Sequence, residues 1–192
     1  MSFTEDSYEN ALIALFENMG YQHLYGPDIE RDYYTPFYEE QVLNSLSTVN
    51  PNKPLAAVHE AIAKLKDIDT GSLTQKNEIF MDYLQHGIEV SYHDGKEQRN
   101  ELVYLIDYKD IRRNDFQIIN QWTFVEHSEK RADLIVFING LPLVVMELKS
   151  PSREETDASE AYLQLRNYMK EIPSLFIYNV FCVMSDMACF KA

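Results

Sequence analysis

Apolar residues recur at helical spacing at the start of the chain. Ala11, Leu12, Leu15, Phe16 and Met19 form a stripe that predicts a helix over residues 4–19, with Thr4 as cap and Gly20 at the exit. Residues 21–52 open aromatic and polar, and a helix is expected over 37–48. Pro51 and Pro54 punctuate, and a further helix follows through Ala56, Val58, Ile62 and Leu65. Another is expected over 73–85, ending at Gly87. At Ile88 the period changes to two. Residues 88–92 alternate, Asp94-Gly95 turns, and 101–108 returns as the second arm of a hairpin. Residues 115–126 read as the next strand, with Phe116, Ile118, Ile119, Trp122, Phe124 and Val125. Then two apolar runs within 131–149 flank Asn139-Gly140, the strongest short-range hairpin signal. Both runs are rich in Val, Ile, Leu and Phe, so both faces should be covered. Residues 153–168 read as a helix with Ala161, Leu165, Tyr168 and Met169 on one stripe. The segment 173–176 closes it, and 178–184 reads as a last buried strand.

Three charges interrupt the central hairpin: Asp133 in its first strand, Glu147 and Lys149 in its second. Charged groups are rare in such strands unless something pairs with them. Glu147 and Lys149 share a face, roughly 7 Å apart along the chain. A strict two-residue turn would pair Ala132 with Glu147 and send Asp133 to the other face. A three-residue loop, Ile138-Asn139-Gly140 with a bulge, would pair Phe137 with Leu141. Asp133 would then stand opposite Val145 and diagonal to Glu147, at roughly 6–8 Å. The odd loop is the expectation, because it brings the two carboxylates together. Such a pair suits one hard cation such as Mg²⁺, with Lys149 beside it to orient or deprotonate water. A partly buried salt bridge of Lys149 with Glu147 or Asp133 would use the same residues.

Bulk properties narrow the setting. The chain has 192 residues, 45% of them hydrophobic, with thirteen Tyr and ten Phe, enough for one domain with a sizeable core. No run of 18 apolar residues occurs, and the start lacks a basic or apolar leader, so a non-secreted, cytoplasmic protein without a membrane span is expected. Cys182 and Cys189 have no metal spacing and read as reduced thiols. The net charge of −14 argues against autonomous nucleic-acid binding, which needs a basic surface. No Gly-x-x-x-x-Gly-Lys-[Ser/Thr] loop is present, so ATP could act only through other domains.

The spacing Asp133, then Glu147-x-Lys149 across a hairpin, resembles the PD-(D/E)xK nuclease superfamily, with Ala132 where the usual Pro would stand. The wider pattern Arg-x-Asp…Phe-x-Asn-Gly-x-Pro-Leu…Glu-x-Lys-Ser-Pro is more specific. It resembles the N-terminal domain of the R (HsdR-type) subunit of type I restriction enzymes. The Asn-Asp-Phe-Gln-Ile-Ile-Asn-Gln lead-in and Thr-Glu-Asp-x-x-Glu opening are similar to that family as well. The resemblance implies an α/β, restriction-endonuclease-like fold: a mixed central sheet flanked by helices, with residues 37–86 as a helical insertion. It implies Mg²⁺-dependent cleavage of double-stranded DNA, with Asp133 and Glu147 binding metal and Lys149 acting on the water. An acid from the first helix often joins such sites. Glu5 is the first candidate and Glu9 the second, although capping and solvation also account for both. A Gln-x-x-x-Tyr motif is matched by Gln164 and Tyr168, which would support the site or touch DNA; an amphipathic helix with a core Tyr is the plainer alternative. Partners would be methyltransferase and specificity subunits, reached through a full-length chain whose downstream motor is absent here. The chain would then be a single nuclease domain, 1–192, excised from that larger protein. Two rivals remain open: another PD-(D/E)xK repair or defence nuclease, and a non-catalytic docking module of the restriction complex. Glycoside chemistry is remote, since Lys149 has no role in it.

Overall fold

The computed structural model describes residues 5–93, 95–149, 158–185 and 190–191. Helix α1 (Glu5–Asn18) leads into a short strand, β1 (Gln22–Tyr25). Helices α2 (Glu39–Val49), α3 (Leu55–Lys66) and α4 (Leu73–His86) follow, then the hairpin of β2 (Ile88–His93) and β3 (Gln98–Val103). Strands β4 (Phe116–Val125), β5 (Glu129–Ile138) and β6 (Leu141–Leu148) form a meander. Helices α5 (Ala158–Glu171) and α6 (Pro173–Ile177) precede strands β7 (Phe181–Ser185) and β8 (Phe190–Lys191). The main sheet has the order β1-β4-β5-β6-β7-β8. It is mixed: β1 runs parallel to β4 and β6 parallel to β7, while the other neighbours are antiparallel.

Alternation along the strands builds a core on each face of the sheet. Ile118, Leu134, Val136, Val144, Met146 and Leu148 meet α1 through α4 and the β2–β3 hairpin. Ile119, Ile135, Phe137 and Val145 meet Leu165 and Tyr168 of α5, and Leu175 and Phe176 of α6. Every residue of β6 is buried, as expected for a strand covered on both faces. The result is a mixed α/β sheet between helical layers, a restriction-endonuclease-like arrangement.

The periodic elements stand close to expectation, and α4 starts on a capping box between Ser72 and Gln75. Other elements differ. Strand β1 falls where no regular structure is expected, because its sequence, Gln-His-Leu-Tyr, carries little pattern and it is held by β4. The return arm of the first hairpin spans 98–103 and not 101–108. Asn50 captures the Tyr104 backbone, accepting from its N at 2.9 Å and donating to its O at 2.8 Å, which draws the chain out of the ladder. Residues 173–176 begin a separate helix, α6, and the last long strand starts at Phe181. The expected helix start at Arg153, the cap at Thr4 and Asp94 of the Asp94-Gly95 turn lie outside the described residues.

The central hairpin differs in the feature that matters most. Its loop is the two-residue turn Asn139-Gly140, with φ of 53° and 77°, flanked by Ile138 paired with Leu141. The expected odd loop is therefore incorrect. Convergence is achieved by another device: the register shifts between Phe137↔Pro142 and Val136↔Val144, leaving Leu143 as an extra residue in a β-bulge. The Leu143 carbonyl is taken by Val180 N at 2.8 Å and Asn179 Nδ2 at 3.2 Å, which stabilises the bulge from β7's lead-in. Beyond the bulge the β5–β6 pairs run from Val136↔Val144 to Leu134↔Met146, and Asp133 and Glu147 follow on their strands just past that pair.

Candidate active site

Asp133 lies midway along β5, and Glu147 lies near the end of β6 that is remote from the turn. Asp133 Oδ2 accepts from the Leu148 amide at 2.9 Å. The Glu147 side chain is fully buried, and its Oε1 accepts from Lys149 Nζ at 2.8 Å. The Asp133 carboxyl is close enough to Glu147 for its negative charge to act on it. Burial first, then the negative charge of Asp133, pushes the Glu147 carboxyl up to about 8, and Lys149 acts in the opposite direction. Glu147 Oε2 is buried and has no hydrogen-bond donor. An acceptor left in that state beside a second carboxylate is costly without a cation.

Helix α5 closes the site from the second core. Tyr168 Oη accepts from Gln164 Nε2 at 2.9 Å and donates to the Arg131 carbonyl at 3.1 Å. Burial, followed by the Glu147 charge, raises the Tyr168 hydroxyl well above the ordinary tyrosine range, so it stays protonated as a donor. Asp133, Glu147, Lys149, Gln164 and Tyr168 thus form one connected group.

Glu9 is held on β4. Its carboxylate accepts from Asn120 Nδ2 at 2.7 Å and Gln121 Nε2 at 3.0 Å, both on β4. Asn120 Oδ1 in turn meets His23 Nε2 at 3.0 Å. Among the described residues no group of three or more His, Cys, Asp or Glu side chains is gathered to hold a metal. The Glu5 side chain lies outside the described residues. Gln121 and Asn120 escaped sequence reasoning. Their signal was an adjacent polar pair in the middle of a mostly apolar strand, and Gln121 adopts a left-handed φ of 56° beside the Asp133 position. The Leu148 amide was also missed, since a backbone donor leaves no mark in the sequence.

The donor set suits a hard divalent cation. Mg²⁺ takes oxygen ligands, often one or two carboxylates with water completing the shell. Asp133 and Glu147 supply the carboxylates, and the unsatisfied Glu147 Oε2 supplies an open donor atom. On these grounds the residues fit the ion.

The family model for the N terminus of the type I restriction enzyme R protein matches residues 2–191. The type I restriction enzyme HindI endonuclease subunit of Haemophilus influenzae is 32% identical over 192 residues, covering 95% of this chain and 18% of its own length. The EcoprrI endonuclease subunit of Escherichia coli is 29% identical over 189 residues, covering 95% of this chain and 56% of its own. The SauMSSORF170P endonuclease subunit of Staphylococcus aureus is 38% identical over 87 residues, 44% of this chain. The chain therefore spans about a fifth of the length of the Haemophilus relative, which is covered to 18%. With the family pattern running across nearly its whole length, the chain belongs to the family of type I restriction enzyme R protein N-terminal domains.

Proposed function

We propose that this chain is the DNA-cutting domain of a type I restriction R subunit, hydrolysing phosphodiester bonds of double-stranded DNA with Mg²⁺. The observation that carries this reading is the Asp133–Glu147 pair with its unsatisfied Glu147 Oε2 and the Lys149 ammonium 2.8 Å from Oε1. Asp133 and Glu147 hold the ion. Bound there, it supplies Lewis acidity against the charge that builds on the scissile phosphate. Lys149 orients the attacking water and handles its proton. The Leu148 amide fixes Asp133, and the Tyr168 hydroxyl, held by Gln164, fixes the strand that carries it. Gln164 and Tyr168 are support for the site. Glu9, held by Asn120 and Gln121, and Glu5 are the acids that the first helix offers.

The wider setting belongs to the same reading. The domain acts within a longer chain with an ATP-driven motor, in the cytoplasm, alongside methyltransferase and specificity subunits. Among the described residues no helix is long and apolar enough to cross a membrane. The test is made in the full-length R subunit. Asp133→Ala, Glu147→Ala and Lys149→Ala are each expected to abolish cutting while ATP hydrolysis continues. A variant cutting at the parent rate refutes the assignment.

The net charge of −14 favours a second reading, a docking module without catalysis. It predicts no uptake of Mn²⁺. Calorimetry showing uptake that disappears in Glu147→Ala excludes it.

A further inference from the structure

The acidity of the chain raises the question of how it holds a polyanion near the acid pair. Among the described residues, several cations are already engaged. Lys149 is bound to Glu147, and Lys130 is bound to Glu171 at 2.7 Å. Arg31 is turned inward: its guanidinium lies over the Trp122 ring at 3.4 Å and donates to the Thr123 carbonyl. Arg131 is different. It is exposed, and among the described residues its guanidinium has no hydrogen-bond or ion-pair partner. It stands on β5 two residues before Asp133, roughly 7 Å away along a strand. Its backbone does not drift, since it pairs with Thr123 and its carbonyl accepts from Tyr168.

An exposed arginine fixed at that distance from a metal-binding carboxylate can reach a phosphate one or two steps along the strand from the one being cut, at roughly 3.4 Å of duplex axis per charge on each strand. Its planar fork suits a phosphodiester better than an ammonium does. We propose that Arg131 is a DNA-backbone contact, clamping a non-bridging phosphate oxygen adjacent to the scissile phosphate. This rests on the nuclease reading. It also gives the Arg of the Arg-x-Asp motif and the Gln164–Tyr168 pair one shared purpose, because Tyr168 holds the backbone from which Arg131 projects.

The experiment uses the full chain with a short DNA duplex and Ca²⁺ at low ionic strength, read by fluorescence anisotropy. Mn²⁺ calorimetry and urea melts run in parallel. Arg131→Gln is expected to weaken duplex binding about tenfold and to flatten the log–log salt slope by about 0.9, the value for one phosphate contact. Arg131→Lys should recover part of the affinity and the whole slope. Mn²⁺ uptake and the unfolding midpoint should not change. Equal duplex affinity for parent and Arg131→Gln overturns the proposal, as does a parent that takes up Mn²⁺ but binds no duplex. A parent that binds duplex through Arg131 but takes up no Mn²⁺ keeps the contact and defeats the nuclease reading instead.

Discussion

The Asp133 carboxylate accepts a hydrogen bond from the main-chain amide of Leu148, at 2.9 Å, where a backbone carbonyl would ordinarily sit. A side chain has taken over one rung of the β5–β6 ladder. Asp133→Asn can keep this bond, while Asp133→Ala leaves a buried amide unpaired at a cost of about 1–3 kcal/mol. In urea melts Asp133→Asn should therefore be the more stable variant, with both losing Mn²⁺ uptake. Equal stability would mean that the Leu148 amide finds another acceptor.

Glu147 carries the opposite bias. Burial and its like-charged neighbour disfavour its ionised form, holding its carboxyl up to about 8. Replacing it by the neutral isostere removes that penalty and the cost of the unsatisfied Oε2 anion. Glu147→Gln should be more stable than the parent in the absence of metal, by about 1–2 kcal/mol, while cutting is expected to be lost. A lower melting point would show that the Lys149 ion pair outweighs the burial penalty.

Gly140 is fixed by sterics. Its φ is 77°, and an added Cβ would lie 2.7 Å from both the Tyr38 carbonyl and the Val42 amide nitrogen. Gly140→Ala should destabilise by about 2–4 kcal/mol, read as a shift of the urea midpoint. A change below about 0.5 kcal/mol, the range of ordinary surface substitutions, would refute the close approach of α2 to the turn.

Cys182 should be unreactive. Burial pushes its thiol up to about 11. The thiolate is then about one part in a thousand at pH 8, and alkylation requires thiolate. In a Cys189→Ser background, iodoacetamide should label the folded chain far more slowly than the urea-unfolded chain. The sign for stability follows. The unfolded thiol ionises near the ordinary value of about 9 and the folded one does not, so this contribution is lost as pH rises from about 9 toward 11. Equal labelling rates folded and unfolded would contradict the burial.

Elements with strong local period were legible in the sequence: α1 to α4, the Asn139-Gly140 turn, and the acids at Asp133 and Glu147. Their signals lie within a few residues. The route by which the acids meet was not legible. An odd loop and an even loop with a bulge give similar convergence, and the choice depends on Asn179, 36 residues beyond Leu143. Strand β1 was missed for the same kind of reason, since its parallel partner Gln117 to Asn120 is distant in the chain. The left-handed Gln121 and its hold on Glu9 likewise arise from tertiary contact, with Gly26 packed against the Asn120 and Gln121 carbonyls.

Hairpin tips are commonly where a chain accepts extra residues. This one is sealed: the Gly140 carbonyl receives the Tyr38 amide at 2.9 Å, and the buried Asn139 side chain binds Leu105, Asn114 and Asp115. The strands that carry Asp133 and Glu147 are thus riveted at their far end to the helical layer, and a tag or reporter grafted there would pry that layer away. Engineered additions should go instead to the outer β2–β3 hairpin around Gly95, where an added Cβ meets nothing within 4 Å.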